Sequence, residues 1–218
     1  MAAICPAIVH FCRLRVTRLN ADGSVADSPN NSYVTAETIS MQLTPDVETG
    51  AEANLLGGCG CIIASKRDPD RFKRWGLALD LGKLEPGLKE MLLGVEVISS
   101  GADPIGINGV SQTDCDFEPN LVAVEAWADA WSDDAPDPTR PYVYFVWPAT
   151  FWQFAQNTIS NDFWTPSLAG FSRSNANWFT GPYDDYGDTF SVSQWAIVNV
   201  TGAPPEAACG YASVTPGT

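Results

Sequence analysis

Apolar and polar residues alternate with a period of two along most of the chain, which is typical of β-strands buried on one face. Around Leu14, for example, apolar side chains at every second position are separated by arginine and threonine. Such runs predict strands at about 11–19, 32–43, 74–81, 95–98, 121–131, 142–148, 163–173 and 190–200. Because 18 glycines and 16 prolines add many chain reversals, the pattern predicts a mainly β (α+β) fold.

Two segments interrupt the alternation. Residues 86–93 predict one short helix, because Pro86 suits the first helical position and Gly94 suits the C-cap. A helix of this length is unstable alone, so we expect it to flank the sheet. The polar, glycine-rich stretch at 44–70 predicts a long loop, and loops of that size are usually functional.

The predicted strand at 121–131 carries two faces of different chemistry. One face contains only small apolar side chains, namely Val122, Val124, Ala126, Ala128 and Ala130. The other carries Glu125, Trp127, Asp129 and Trp131. Since successive side chains of a strand point to opposite faces, the second set is expected to meet solvent, a partner or a channel.

The chain has 218 residues without an internal repeat, so we assign 1–200 to a single β domain and 201–218 to an extended C-terminal tail. The net charge of −14 is unevenly distributed, because residues 1–89 contain ten acids and ten bases whereas residues 90–218 contain 16 acids and two bases. Attractive binding to nucleic acid requires clustered Lys and Arg. The charge pattern therefore excludes a DNA- or RNA-binding surface and is most often that of a solvated face.

Signals of catalysis are few. The single histidine, His10, lies in an apolar strand and is interpreted as a core or interface residue. Cys59-Gly60-Cys61 lacks the two-residue spacer of a redox or zinc pair and is interpreted as a tight turn. The acid pairs Asp133/Asp134 and Asp184/Asp185 are adjacent on loops, whereas a glycosidase needs two carboxylates facing each other. We expect neither an enzyme nor a cofactor or metal site.

Aromatic residues cluster in the second half of the chain and allow a sugar-binding interpretation. They are Phe151, Trp152, Phe154, Phe163, Trp164, Trp178 and Phe179. Core and subunit contacts are more common uses of such side chains, and we favour them.

The sequence also bears on where the protein works. No stretch approaches the roughly 20 apolar residues of a membrane span, so no membrane association is expected. The apolar start of the chain is followed by Arg13 and Arg15, the reverse of a signal peptide. We therefore expect synthesis in a reducing cytoplasm, where the six cysteines stay as thiols.

An ordered set of motifs resembles the major tail proteins, or tail tube subunits, of long-tailed (siphovirus-type) phages that infect actinobacteria. The N-terminal motifs are RVTRLNADG (15–23), NSYVT (31–35), LTPDVETG (43–50), GGCGCI (57–62), DPDRFKRW (68–75) and EPGLKEMLLG (85–94). The C-terminal motifs are FVWP (145–148), GFSRSN (170–175) and NWFTGP (177–182). The order covers about 11–200, and the chain departs from the family pattern in the aromatic segment 151–164 and in its extra cysteines.

The resemblance implies a structural virion protein with a β-sandwich or barrel and a flanking helix. Such subunits form homohexameric rings that stack into a hollow tail tube, which encloses the tape-measure protein and later conducts viral DNA. The implied partners are further copies of the chain, the tape-measure protein, and the tail terminator and distal tail or baseplate proteins. DNA is cargo that the tube does not bind, and assembly takes place in the host cytoplasm.

Within this family, the candidate lumen-facing acids are Glu125 and Asp129, because an acidic lining repels phosphates. The loop at 44–70 is the candidate inter-ring contact, with Asp46, Glu48, Glu52, Asn54 and Leu55 as its contact residues. Two alternatives stay open at this point. One is a tail-end or baseplate ring protein, or a capsid decoration protein, of the same virion; the other is a monomeric β-sandwich carbohydrate-binding module.

Overall fold

The structure is a computed structural model that describes residues 7–109, 118–132, 135–159, 161–177, 194–206 and 209–214. The strands before the helix are β1 (Ala7–Arg18), β2 (Ser32–Thr35), β3 (Thr38–Glu48), β4 (Glu52–Leu56), β5 (Ile62–Arg67) and β6 (Arg71–Leu81). The helix is α1 (Pro86–Leu93). The later strands are β7 (Val97–Ser100), β8 (Asp103–Ile107), β9 (Val122–Ser132), β10 (Ala135–Pro136), β11 (Tyr142–Phe154), β12 (Ser167–Ser172), β13 (Ala196–Val200) and β14 (Gly210–Ala212).

The predicted mainly β fold is confirmed, and α1 is the one helix among the described residues. The main sheet is antiparallel with the order β14-β2-β1-β9-β11-β12-β6-β3, and β10 and β13 attach to β9 and β11. Two further hairpins, β4–β5 and β7–β8, stand outside it. Over the described ranges the sheet remains open, with β14 and β3 at its edges, so it is not a closed barrel.

The sheet curls so that β1 and β3 come into contact, and α1 packs against the enclosed face. Alternation explains this face, since the side chains that point inward are the apolar ones of the predicted strands. The main core contains Leu14, Val16, Leu77, Leu79, Leu81, Val122, Val124, Trp147, Trp152 and Leu168 together with Leu88, Met91, Leu92 and Leu93 of the helix. Burial of these side chains is the chief stabilising contribution to the domain.

The predicted helix begins and ends where the sequence indicates. Pro86 occupies its first turn, where a missing N–H costs nothing. Gly94 adopts the left-handed conformation at the C-cap (φ 72°) and donates its N–H to the Glu90 carbonyl at 2.9 Å. Asn120 Nδ2 donates to the carbonyls of Glu90 and Met91, both at 3.0 Å, and thus satisfies the end of the helix.

The predicted strand at 32–43 is divided in two. The chain bends after Thr35, whose hydroxyl accepts the Glu37 N–H at 2.9 Å. As a result β2 pairs with β1, whereas β3 crosses to pair with β6. The bend leaves the neighbouring edges of β1 and β3 unpaired with each other.

The tail beyond residue 200 returns to the main sheet. Its strand β14 pairs with β2 in the register Tyr211↔Tyr33, and the two rings form an edge contact at 5.4 Å. Asn31 fixes the end of this strand, because its side chain donates to the Val214 carbonyl at 2.8 Å and accepts the Val214 N–H at 2.8 Å.

Candidate assembly surfaces

The segment 44–70, expected to be a long loop, is instead largely β-structure. Strand β3 runs on to Glu48 and pairs with β6 as far as Arg71, and the chain continues into the β4–β5 hairpin. Strand β12 pairs with β6 only as far as Gly76. The pair formed by β3 and β6 continues to Arg71 and so projects beyond β12. We call this projection, residues 46–74, the arm. Neither face of β4 or β5 is buried, which is why no alternation marked these strands in the sequence.

Polar contacts stiffen the base of the arm. Asp46 accepts a hydrogen bond from Arg74 Nε at 2.9 Å across the strand pair, so this candidate residue is a brace within the arm. Asp70 accepts the Gly50 N–H at 2.9 Å and also pairs with Arg67. Gly50 is required by close approach, because a Cβ there would lie 1.9 Å from the Asp68 carbonyl oxygen.

The other candidate residues of the arm are exposed. Glu48 ends β3, and Glu52 accepts a hydrogen bond from Asn54 at 3.1 Å on the surface of β4. Leu55 is 60% exposed and belongs to a group of four large aliphatic side chains at the far end. Its companions Leu56, Ile62 and Ile63 were not among the predicted contact residues. A signal was present, since two apolar pairs flank the glycine-rich turn 57–60, as in a hairpin.

We call residues 54–65 the arm tip. Its turn is closed by hydrogen bonds from Gly57 N–H to the Cys61 carbonyl (2.8 Å) and from Gly60 N–H to the Gly57 carbonyl (2.9 Å). Gly60 has a φ of 77°, which favours glycine. Cys59 and Cys61 are exposed thiols in this turn, in agreement with its interpretation as a tight turn.

A cleft of about 340 Å³ lies in the gap between β1 and β3. We call it the seam cleft. Its walls are Ile8, His10 and Phe11 of β1 and Ser40, Met41 and Leu43 of β3; its floor is Ala126, Ala128, Phe145 and Trp147. His10 is exposed on its rim at a bulge of β1, with a φ of 54°, and does not lie in the core.

Glu125 does not line a channel, and this expectation is wrong. Its side chain is completely buried inside a single chain. Arg15 donates two hydrogen bonds to this carboxylate, from Nε to Oε2 at 2.7 Å and from Nη2 to Oε1 at 2.9 Å. The Tyr144 hydroxyl donates a third, to Oε1 at 2.6 Å. The second face of β9 is thus covered by a core of its own, which includes Trp127 and Val146.

Asp129, the other candidate lumen acid, is half-buried at the far end of the same strand. It accepts a hydrogen bond from the Cys12 thiol at 3.2 Å. Burial, assisted by the nearby Asp129 carboxylate, raises the pKa of Cys12 to about 11. Its position relative to a channel stays a prediction.

A second cavity, of about 310 Å³, lies at the start of α1. Glu85, the residue before the helix, is buried at its edge and accepts the Thr35 hydroxyl at 2.7 Å. Burial raises the pKa of this carboxyl above its usual range, although the hydrogen bonds oppose the shift. Glu37 and Lys83, 2.7 Å apart, form an ion pair at the mouth of this cavity.

The aromatic cluster of the sequence does not form one platform. Trp152 is a core residue, and Phe151 lies under the Arg173 guanidinium at 5.4 Å. Trp164 carries the Lys89 ammonium over its ring at 5.0 Å, whereas Phe163 is 95% exposed. Trp178 and Phe179 lie outside the described residues.

The described residues were also compared with other kinds of site and the sequence with known proteins. Among the described residues, no group of three or more His, Cys, Asp and Glu side chains could hold a metal ion. No helix in the described ranges is long and apolar enough to cross a membrane. Neither a protein-family model nor a curated protein matches this sequence.

Proposed function

We propose that this chain is a structural virion subunit that assembles into stacked hexameric rings and so forms the hollow tail tube of a long-tailed phage. In this role the tube encloses the tape-measure protein, is bounded by terminator and distal tail or baseplate proteins, and conducts viral DNA without binding it. The subunit is synthesised in the bacterial host cytoplasm, acts in the virion, and needs neither a cofactor nor catalytic chemistry.

The arm carries this proposal. Every residue of β4 and β5 is exposed, even though four of these residues are large and aliphatic. Leu55, Leu56, Ile62 and Ile63 are each at least 60% accessible to solvent. Large aliphatic side chains grouped at an exposed hairpin end mark an interaction site, because apolar surface is costly to leave in water. A projecting strand pair of this kind is suited to bridging from one subunit to a second copy.

The charge of the chain supports the role of a conduit. A net charge of −14 per subunit, repeated around each ring, gives a field that repels the phosphates of a passing genome. Asp129 is the remaining candidate for the acidic lining, since Glu125 is already neutralised by Arg15 inside the subunit.

Removal of the arm tests the proposal. Glu48 and Arg71 are paired in register, so residues 49–70 can be replaced by Asn-Gly, which closes a two-residue hairpin between them. We expect this variant to fold as the wild type by circular dichroism but to form no tubes in negative-stain electron microscopy. The control is Glu206→Gln, which changes one exposed acid outside the arm and is expected to assemble normally.

Three outcomes contradict or redirect the proposal. A wild-type chain that stays monomeric at every concentration argues against a tube and favours the carbohydrate-binding module, for which the exposed Phe163 and the neighbouring Trp164 are the supporting observation. Binding on a glycan array would then identify that module. Single rings without stacking favour a baseplate or tail-end ring protein, or a capsid decoration protein. If the armless variant forms normal tubes, the arm is not required for assembly.

A further inference from the structure

The seam cleft is an apolar gap with free strand edges beside it. Among the described residues, 7–13 of β1 pair only with β9, and β3 pairs only with β6. Each strand therefore keeps an unpaired edge at the gap, which is a template for an added strand. Apolar walls and free backbone edges together fit an incoming β-segment.

The arm tip has the complementary properties. It presents four large aliphatic side chains on a hairpin, and its sequence from 54 to 65 contains no charged residue. The cleft lining is likewise free of Asp, Glu, Lys and Arg. On a chain with a net charge of −14, two neutral apolar patches are where copies can meet without burying like charges.

The tip does not fill the cleft of its own chain. Strand β3 forms one wall of the cleft through Leu43, and the chain leads from there to the tip at Leu56. None of residues 54–65 lines the cleft, and the four aliphatic side chains of the tip stay at least 60% exposed. The base of the arm is braced by Asp46 and Arg74, so the occupant has to come from another molecule.

We propose that the arm tip of one copy docks into the seam cleft of the next, so that copies join head to tail. This inference rests on the proposed function and names the receiving surface for the arm. Because tip and cleft are different surfaces, the contact is heterologous and propagates without closing on itself. The hairpin adds strand to one free edge at the mouth of the cleft, and its aliphatic side chains cover the half-buried Phe145.

The arm tip has 12 residues, fewer than the roughly 20–30 that each partner contributes to a stable pairwise complex. Two free copies are therefore expected to associate weakly. Several copies engaged around a ring gain from multivalency, since each further contact becomes intramolecular. Assembly, and not dimerisation, is the property to measure.

Opposite charges placed on the two surfaces test the contact. Ile63 on the tip and Ile8 on the cleft wall are 68% and 55% exposed, so Ile63→Lys and Ile8→Glu should both leave the subunit folded. Each single variant is expected to raise the critical concentration for tubes about tenfold or more, because it buries an unpaired charge. The chain that carries both changes should return to within about threefold of wild type. Ile63→Glu combined with Ile8→Glu is the matched control and should not recover.

Thiol trapping supplies a second measurement. In a background where Cys5, Cys12, Cys115 and Cys209 are serine, Ser40→Cys adds a thiol to the cleft wall opposite the native thiols of the tip. Oxidised glutathione added to assembled tubes should then give a ladder of covalent oligomers, which requires both the tip cysteines and the Ser40→Cys change.

These experiments distinguish failure of the proposed function from failure of the proposed contact. If wild type forms no tubes or rings, both the proposed function and this contact are overturned. If wild type and Ile8→Glu assemble equally well while the armless variant does not, the function stands and the cleft is not the receiving surface. Covalent dimers that form without the Ser40→Cys change indicate tip-to-tip contacts and overturn the head-to-tail arrangement.

Discussion

The Arg15 guanidinium and the Glu125 carboxylate form a two-pronged ion pair at 2.7 and 2.9 Å, on directly paired positions of β1 and β9. Both side chains are buried, and the Arg15 guanidinium also lies 5.6 Å from the centre of the Trp127 ring. The Tyr144 hydroxyl donates a further hydrogen bond to the carboxylate. This pair holds the second face of the sheet together and does not contribute charge to the surface.

Removal of one partner of this ion pair should strongly destabilise the folded chain. Arg15→Met and Glu125→Gln each leave the opposite charge buried without compensation, which costs about 3–5 kcal/mol of the free energy of unfolding. The double variant Arg15→Met/Glu125→Gln removes both charges and keeps an acceptor for Tyr144, so its loss should be much smaller than the sum of the single losses. Urea denaturation measures all three, and additive losses would show that the charges do not depend on each other.

Asp129 should control the reactivity of Cys12. Burial, and then the Asp129 carboxylate that accepts the hydrogen bond of the thiol, together raise the pKa of Cys12 to about 11. Asp129→Asn removes the negative charge, so the pKa of Cys12 should fall and its alkylation by iodoacetamide at pH 8 should become faster. The experiment uses a chain in which Cys12 is the only cysteine. An unchanged pH profile would mean that burial alone sets the pKa.

The sequence predicted the fold best where one face of a strand meets the core. Alternation around Leu79 works because β6 has a buried face and a less buried one there. Around Leu14 it identifies the core side of β1, although Arg15 and Thr17 on the other face are buried too. It fails at the arm, where β4 and β5 are exposed on both faces and leave no period to detect. Only the turn chemistry at 57–60 could have indicated a hairpin.

The candidate site was predictable only in part, because burial of a face depends on distant segments. Alternation separated Glu125 from the core side of β9 correctly, since Ala126 and Val124 do line the main core. It could not indicate that the other face is covered too, because Arg15 is 110 positions away in the sequence. The seam cleft is equally non-local, since it forms where the bend after Thr35 sends β3 away from β1.

Glu85 should make stability depend on pH. Burial raises the pKa of its carboxyl in the folded state, so between the ordinary value of about 4.3 and the raised value the native chain binds more protons than the unfolded chain. The free energy of unfolding should therefore fall as pH rises through that window. Glu85→Gln still accepts the Thr35 hydroxyl but cannot ionise, so it should flatten this slope and be more stable at pH 7. Urea titrations from pH 4 to 8 check this, with Glu52→Gln as the exposed control.

The C-terminal strand should be fastened by a single side chain. The Asn31 amide donates to the carbonyls of Ala26 (2.9 Å) and Val214 (2.8 Å) and accepts the Val214 N–H (2.8 Å). Asn31→Ala leaves these backbone groups without their partner, and we expect it to cost about 1–3 kcal/mol of the free energy of unfolding. Since β14 protects one edge of β2, hydrogen exchange at Tyr33 and Tyr211 should accelerate more than exchange in the core. Asn54→Ala on the exposed arm is the control. Unchanged exchange at β2 in the Asn31→Ala variant would mean that strand pairing and the contact between the two tyrosine rings hold the tail without Asn31.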